Sequence, residues 1–260
     1  MVSINDDLPP DTCTRMPASG VGWEEIFVNS EKAALSDDVA TAITDSFSYV
    51  TIPNFGTLEE RCALQESALR VANDGHSQPH ILAASDVNVN CTRYSVKSLL
   101  DGPANAAHNT LLTRLLDFLE QDEELYKVFA RSNLSDSDKN TAEWYTEPDD
   151  RGNDCPEPKV NIYGKSGYFK EHTDGMQLTL LVVLNDTFEG GGTAFFSEAA
   201  ETMWADRSDK ADRVARPPAG TAMIWGGSLW HMALPVSTGM RAVYVGSFDL
   251  TENSPKEEED

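Results

Sequence analysis

Two periods of apolar spacing divide this chain. Between residues 31 and 46, Ala34, Leu35, Val39, Ala42 and Ile43 recur on one side at helical spacing. Residues 48–52 are β-rich and stop at Pro53. Residues 58–73 return to a helical period, with Glu59 and Glu60 in the first turn, where negative charge complements the helix dipole. Residues 91–96 have the composition of a strand. A second amphipathic helix is predicted over 109–129 from Leu111, Leu112, Leu115, Leu116, Leu119 and Leu125, a stripe that belongs against a core. From Lys159 onward the pattern changes. Short β-runs separated by Gly-rich turns predict a sandwich or barrel.

Three stretches carry no period. Residues 1–22 are polar, with Pro9-Pro10, and read as a loose arm. Residues 132–154 are polar, acidic and bear Pro and Gly, so a mobile loop is expected there, anchored by Trp144 and Tyr145. Residues 251–260 form an acidic tail. One domain over 23–250 is the expected organisation, with helical support and early strands in 23–158 and a β core in 159–250. A chain of 260 residues can bury a substantial core.

Composition narrows the function. No apolar run reaches the length of a membrane span, and the first residues lack an apolar targeting segment, so a cytoplasmic setting is expected. The four Cys are widely spaced and read as free thiols in a reducing compartment. The net charge is −23, from 20 Lys and Arg against 43 Asp and Glu. Nucleic-acid binding needs cations against phosphates, so this balance argues against it. A basic peptide or a neutral small molecule is electrostatically easier.

The most informative chemistry is His172-Thr173-Asp174, then His231, then Arg241 ten residues further on. On an extended strand, residues i and i+2 share a face, so His172 and Asp174 can reach one ion. Two imidazoles and a carboxylate on one face of an octahedral ion leave three positions open, as in non-haem Fe(II) oxygenases. The same set suits zinc, and a zinc hydrolase stays open on the ligands alone. His-x-Asp by itself is a weak signal. Arg241 strengthens it, because a guanidinium fork matches the carboxylate of a cosubstrate. Trp225 and Trp230 flank His231 either as walls of the site or as core packing.

The run Asn161 to Glu171, the triplet, the strand-like Leu178 to Asn185, the Gly190-Gly191-Gly192-Thr193 turn and the Arg241 to Phe248 run together resemble the 2-oxoglutarate- and Fe(II)-dependent oxygenases. Within them the prolyl 4-hydroxylase-like branch is the most similar. The resemblance covers roughly residues 159 to 249, with a fainter echo at 46–55. It implies an α+β chain with a double-stranded β-helix (jelly-roll) core and N-terminal supporting helices. It implies Fe(II) on His172, Asp174 and His231, with Arg241 holding the C5 carboxylate of 2-oxoglutarate. Tyr163 and Thr179 are carried over as further cosubstrate contacts. O2 and ascorbate are the other implied cofactors, and succinate and CO2 the implied coproducts. Retention of Asp174 favours hydroxylation over halogenation. Arg93-Tyr94-Ser95 resembles an Arg-x-Ser element near the site of prolyl hydroxylases, while an outward Arg on a plain strand fits as well. Val183 stands where many relatives have Tyr, and Arg241 where collagen-type enzymes usually have Lys. The implied activity is hydroxylation of an unactivated C–H bond, with a peptidyl proline preferred. A small-molecule hydroxylase and a non-catalytic metal- or 2-oxoglutarate-binding sensor are the alternatives.

Overall fold

A computed structural model of the chain describes residues 26–27, 49–74, 88–96, 99, 102–120, 140–148, 154–197 and 211–252. The polar arm at 1–22 and the helix expected at 31–46 lie outside these residues.

The strands are β1 (Ile26–Phe27), β2 (Tyr49–Ile52), β3 (Asn88–Ser95), β4 (Asn140–Trp144), β5 (Thr146–Pro148), β6 (Asp154–Pro156), β7 (Lys159–His172) and β8 (Leu178–Val183). They continue with β9 (Glu189–Gly190), β10 (Thr193–Phe196), β11 (Arg213–Ala215), β12 (Ala222–Gly226), β13 (Trp230–Ala233), β14 (Val236–Thr238) and β15 (Arg241–Glu252). Two helices are described, α1 (Leu58–Asp74) and α2 (Gly102–Glu120). Eleven strands form one curled sheet in the order β1-β2-β12-β8-β15-β7-β13-β10-β11, with β3 added on β7 and β4 on β15. All pairings in it are antiparallel except β1 with β2. The sheet curls into the half-barrel of a double-stranded β-helix.

Side-chain alternation explains the curl's two faces. Val160 and Ile162 of β7, Leu180 and Val182 of β8, Ile224 of β12 and Tyr244 of β15 point outward. They form one apolar cluster with Leu64 and Ala68 of α1 and Leu111, Leu115 and Leu119 of α2. The next residues along each strand point inward. Tyr163, Leu181, Val183, Met223, Trp225 and Val243 form a second cluster inside the curl. Both faces of these strands are therefore covered, and β8 is buried at all six positions.

Helix α1 starts at a capping box. The Glu60 backbone N–H donates to Thr57 Oγ1 at 3.2 Å, and the Thr57 N–H donates to Glu60 Oε2 at 2.8 Å. The Arg114 guanidinium of α2 donates twice to the Glu60 carboxylate, at 2.9 and 3.0 Å, and also to the Phe55 carbonyl. One residue thus caps α1 and ties it to α2.

Four expectations need correction. Helix α2 begins at Gly102, earlier than expected, because Pro103 fits a first helical turn where its missing N–H costs nothing. The segment expected as a loop contains β4 and β5 and reaches the start of β6, and β4 pairs along β15 with Trp144 packed on Phe248 at 5.0 Å between rings. Cys62 is disulfide-bonded, so the four thiols are not all free, whereas Cys91 is. Strand β15 also runs to Glu252, two residues into the expected tail. Among the described residues, no helix is long and apolar enough to cross a membrane.

Candidate metal centre and cosubstrate cavity

The site forms where β7 ends. His172 is its last residue, and antiparallel pairing sets His231 of β13 directly opposite. Their rings lie 4.3 Å apart. Asp174 follows in a turn fixed from two sides. Its backbone N–H donates to the Gly227 carbonyl at 2.9 Å, and the Gln177 N–H donates to Asp249 Oδ1 at 2.7 Å. Gly227 admits no side chain, since a Cβ there would sit 2.0 Å from the Met176 carbonyl oxygen.

The donor atoms face one another. His172 Nε2 is 3.5 Å from Asp174 Oδ1, and His231 Nε2 is 3.4 Å from Asp174 Oδ2. One ligand atom from each residue lies within 4.8 Å of the others. The tautomers follow from the backbone. His172 Nδ1 lies 2.7 Å from the Lys170 carbonyl, and His231 Nδ1 lies 2.9 Å from that of Leu229. A carbonyl only accepts, so each Nδ1 carries the proton and each Nε2 faces the Asp174 carboxylate. Burial pushes His231 down to about 4, against the opposing pull of Asp174, so it stays neutral. For Asp174, burial raises the pKa, but His231, His172 and the Thr179 hydroxyl together outweigh it and hold the group well below the usual carboxylate range. A neutral His231 and an ionised Asp174 are protonation states that a divalent metal requires of its ligands. The residues present therefore fit such an ion.

Arg241, first residue of β15, sits opposite Tyr163 and is 2 % exposed. Its Nη2 donates to Thr193 Oγ1 at 3.1 Å, and its guanidinium carbon lies 5.4 Å from the centre of the Tyr163 ring. Nη1 has no acceptor among the described residues. The Gly-rich turn makes room for it, since a Cβ on Gly191 would meet Arg241 Cδ at 3.3 Å, and φ there is +61°. Burial lowers the Arg241 pKa from a value so high that the group stays charged. Burial raises that of Tyr163, which keeps its proton. Val183 is packed among the inward apolar residues where a hydroxyl was absent from the sequence.

All six residues singled out from the sequence line this one cavity. Thr179 is at the metal end, and its hydroxyl donates to Asp174 Oδ2, which orients the carboxylate. The sequence reading left Arg93 and Trp225 open between the site and a plain structural role, and passed over Glu157 and Asn161. Arg93 points inward, 7 % exposed, and pairs with Glu157 Oε1 at 3.1 Å. Glu157 Oε2 accepts from the Ser247 N–H and hydroxyl. Burial raises the Glu157 pKa, against the lowering pull of Arg93 and Lys159. Asn161 and Trp225 complete the polar lining. The usable signal was parity. Arg93 is the registered partner of Asn161, and Asn161 shares a strand face with Tyr163.

Fold and site together define a class. Residues 158–248 match the family model described as the 2OG-Fe(II) oxygenase superfamily. No curated protein matches the chain. Among solved structures, a Pseudomonas putida prolyl-4-hydroxylase aligns with TM-score 0.52 and 13% identity, covering 81% of this chain and 98% of that one. A Trichoplax adhaerens prolyl hydroxylase, solved with a hypoxia inducible factor peptide fragment, gives 0.51 and 12%, covering 82% and 89%. The epimerase SnoN, solved with Fe3+, alpha ketoglutarate and nogalamycin RO, gives 0.54 and 16%, covering 82% of each chain. At these identities the likeness establishes the double-stranded β-helix fold. The superfamily implies Fe(II) and 2-oxoglutarate, and a His-His-Asp triad is present.

Proposed function

We propose that this chain is a 2-oxoglutarate- and Fe(II)-dependent dioxygenase that hydroxylates an unactivated C–H bond, with a peptidyl proline as the preferred substrate. The observation that carries this reading is the donor set. Nε2 of His172, Nε2 of His231 and the Asp174 carboxylate converge, and both imidazoles are held in the metal-ready tautomer by backbone carbonyls. Fe(II), when bound, supplies the O2-dependent oxidation that couples decarboxylation of 2-oxoglutarate to hydroxylation. The protein's part is orientation and shielding. Thr179 sets the carboxylate. Arg241 is the anchor for the C5 carboxylate, with Tyr163 beside it. A charge-assisted contact to a buried guanidinium favours a dianionic cosubstrate over a neutral one. A zinc hydrolase would have no use for a cation sealed at the far end of the cavity. We take residues 23–250 to form the single domain that carries this activity.

The peptide preference draws on the two prolyl hydroxylases among the structural neighbours, one of them solved with a peptide fragment. SnoN, whose complex holds nogalamycin RO, supports the small-molecule alternative. The test is a screen of proline-containing peptides and of metabolites for substrate-stimulated succinate release under Fe(II), ascorbate and air. Stimulation by a peptide, with hydroxylation found on it, supports the reading. Succinate release that no peptide raises but a metabolite does would move the substrate to a small molecule. Absence of 2-oxoglutarate binding would remove the reading altogether.

A further inference from the structure

Three residues that line the cavity each carry a buried polar atom with no partner among the described residues: Arg241 Nη1, Asn161 Oδ1 and Trp225 Nε1. A buried polar group without a hydrogen bond is costly, so such atoms mark places where a ligand completes the structure. Their chemistry sorts them. Two are donors and one is an acceptor. A 2-oxo diacid has only acceptors, so it can satisfy the two donors and leaves Asn161 Oδ1 unused. The donors stand on different strands, β15 and β12, beside different neighbours. Arg241 is beside Thr193 and Tyr163. Trp225 is fully buried on β12, cross-strand from Thr179, with its ring edge-on to His231 at 5.0 Å and to Phe195 at 5.4 Å.

We propose that Trp225 is a cosubstrate-binding residue whose indole N–H donates to the carboxylate adjoining the 2-oxo group of 2-oxoglutarate, so that each end of the dianion has its own buried donor. The assignment rests on the function proposed above, which puts that carboxylate at the metal end. An indole N–H is donor only, so it cannot compete with His172 or His231 for the metal. Its contacts with Phe195 and His231 fix the ring, and the N–H is therefore oriented before the ligand arrives. Packing alone would explain a ring at this place, but it leaves the nitrogen unpaired where Phe would serve as well.

Trp225→Phe keeps an aromatic ring and removes the donor. The probes are 2-oxoglutarate and 4-oxopentanoate, which keeps the ketone and the distal carboxylate but lacks the carboxylate beside the ketone. Both are titrated by calorimetry into protein loaded with Mn(II) under nitrogen. Trp225→Phe is expected to weaken 2-oxoglutarate roughly tenfold to a hundredfold, the range for a hydrogen bond to a charged group. It should leave 4-oxopentanoate and Mn(II) affinities unchanged. Equal weakening of both probes, or of neither, overturns the proposal. If wild type itself fails to bind 2-oxoglutarate, the function proposed above is what fails. Should the variant not fold, wild-type protein with nitrogen-15 indoles and Zn(II) decides. The one of five Trp signals near the Phe195 and His231 rings must move downfield with 2-oxoglutarate and stay with 4-oxopentanoate. A signal that ignores both probes, or answers both alike, overturns it too.

Discussion

The two faces of the curled sheet are made by the same strands and do opposite things. On β7, Val160 and Ile162 face the helices, while Asn161 and Tyr163 face the cavity. On β15, Ala242 and Tyr244 face out, and Arg241 and Ser247 face in. The outward face is apolar and closely packed, and contributes by burial. The inward face holds charged and polar groups at almost equal burial, several with atoms unpaired among the described residues. A strand can serve both because its side chains alternate, so stability and chemistry are carried by interleaved positions.

This separation can be broken experimentally, and the largest effect is expected at the metal end. His172→Ala or His231→Ala should abolish 2-oxoglutarate turnover and weaken Mn(II) binding, because one of three ligands is gone. Thermal unfolding of the metal-free variants should stay near that of wild type. On the outward face the reverse holds. Leu115 is fully buried between α2 and the sheet, and Leu115→Ala should cost about 2–5 kcal/mol in denaturant unfolding while leaving Mn(II) affinity unchanged. A Leu115→Ala protein that remains folded but binds metal poorly would couple the faces and contradict the division.

At the far end of the cavity, Arg241→Ala should lose about 2–5 kcal/mol of 2-oxoglutarate affinity, the cost of truncating one partner of a buried charge pair. Arg241→Lys should be intermediate, since it keeps the charge and loses the planar fork. Equilibrium titration with the Mn(II)-loaded variants measures both. A smaller effect is expected from Thr57→Ala, which removes the α1 cap and should cost about 1 kcal/mol with no change at the site.

Much of this was legible in the chain. His172, Asp174, His231 and Arg241 stood out because a metal set and its anchor have recognisable spacing, and α1 because its period is clean. The rest depends on partners far away in sequence. Arg93 could be read inward or outward until β3 was registered on β7, which sets it against Asn161. Glu157 looked like part of a polar stretch, and only pairing brings it to Arg93 and Ser247. Residues 140–144 look like a loop because Asn140, Thr141 and Glu143 are polar, and their strand exists through backbone bonds to β15. The Cys62 disulfide was missed because spacing does not reveal connectivity.

The smallest expected effect is on pH. His108 of α2 lies on the outward face, with Nδ1 2.9 Å from the Tyr244 hydroxyl. Burial lowers its pKa below 6.5. The unfolded chain then binds more protons there than the native one, so this contribution is intact above pH 6.5 and is lost as pH falls below that value. His108→Gln should flatten the acid side of the stability curve over that window, as followed by denaturant midpoints. An unchanged slope would exclude His108 as its source.

The central claim is that one metal on His172, Asp174 and His231 creates the binding place for 2-oxoglutarate. Calorimetry under nitrogen tests it in a single ordered experiment. Mn(II) is titrated into metal-free protein, then 2-oxoglutarate into the product, with His231→Ala alongside. The account predicts one Mn(II) site in wild type, 2-oxoglutarate binding that requires the metal, and loss of both in the variant. Undiminished Mn(II) binding by His231→Ala, or 2-oxoglutarate binding that ignores the metal, would contradict it.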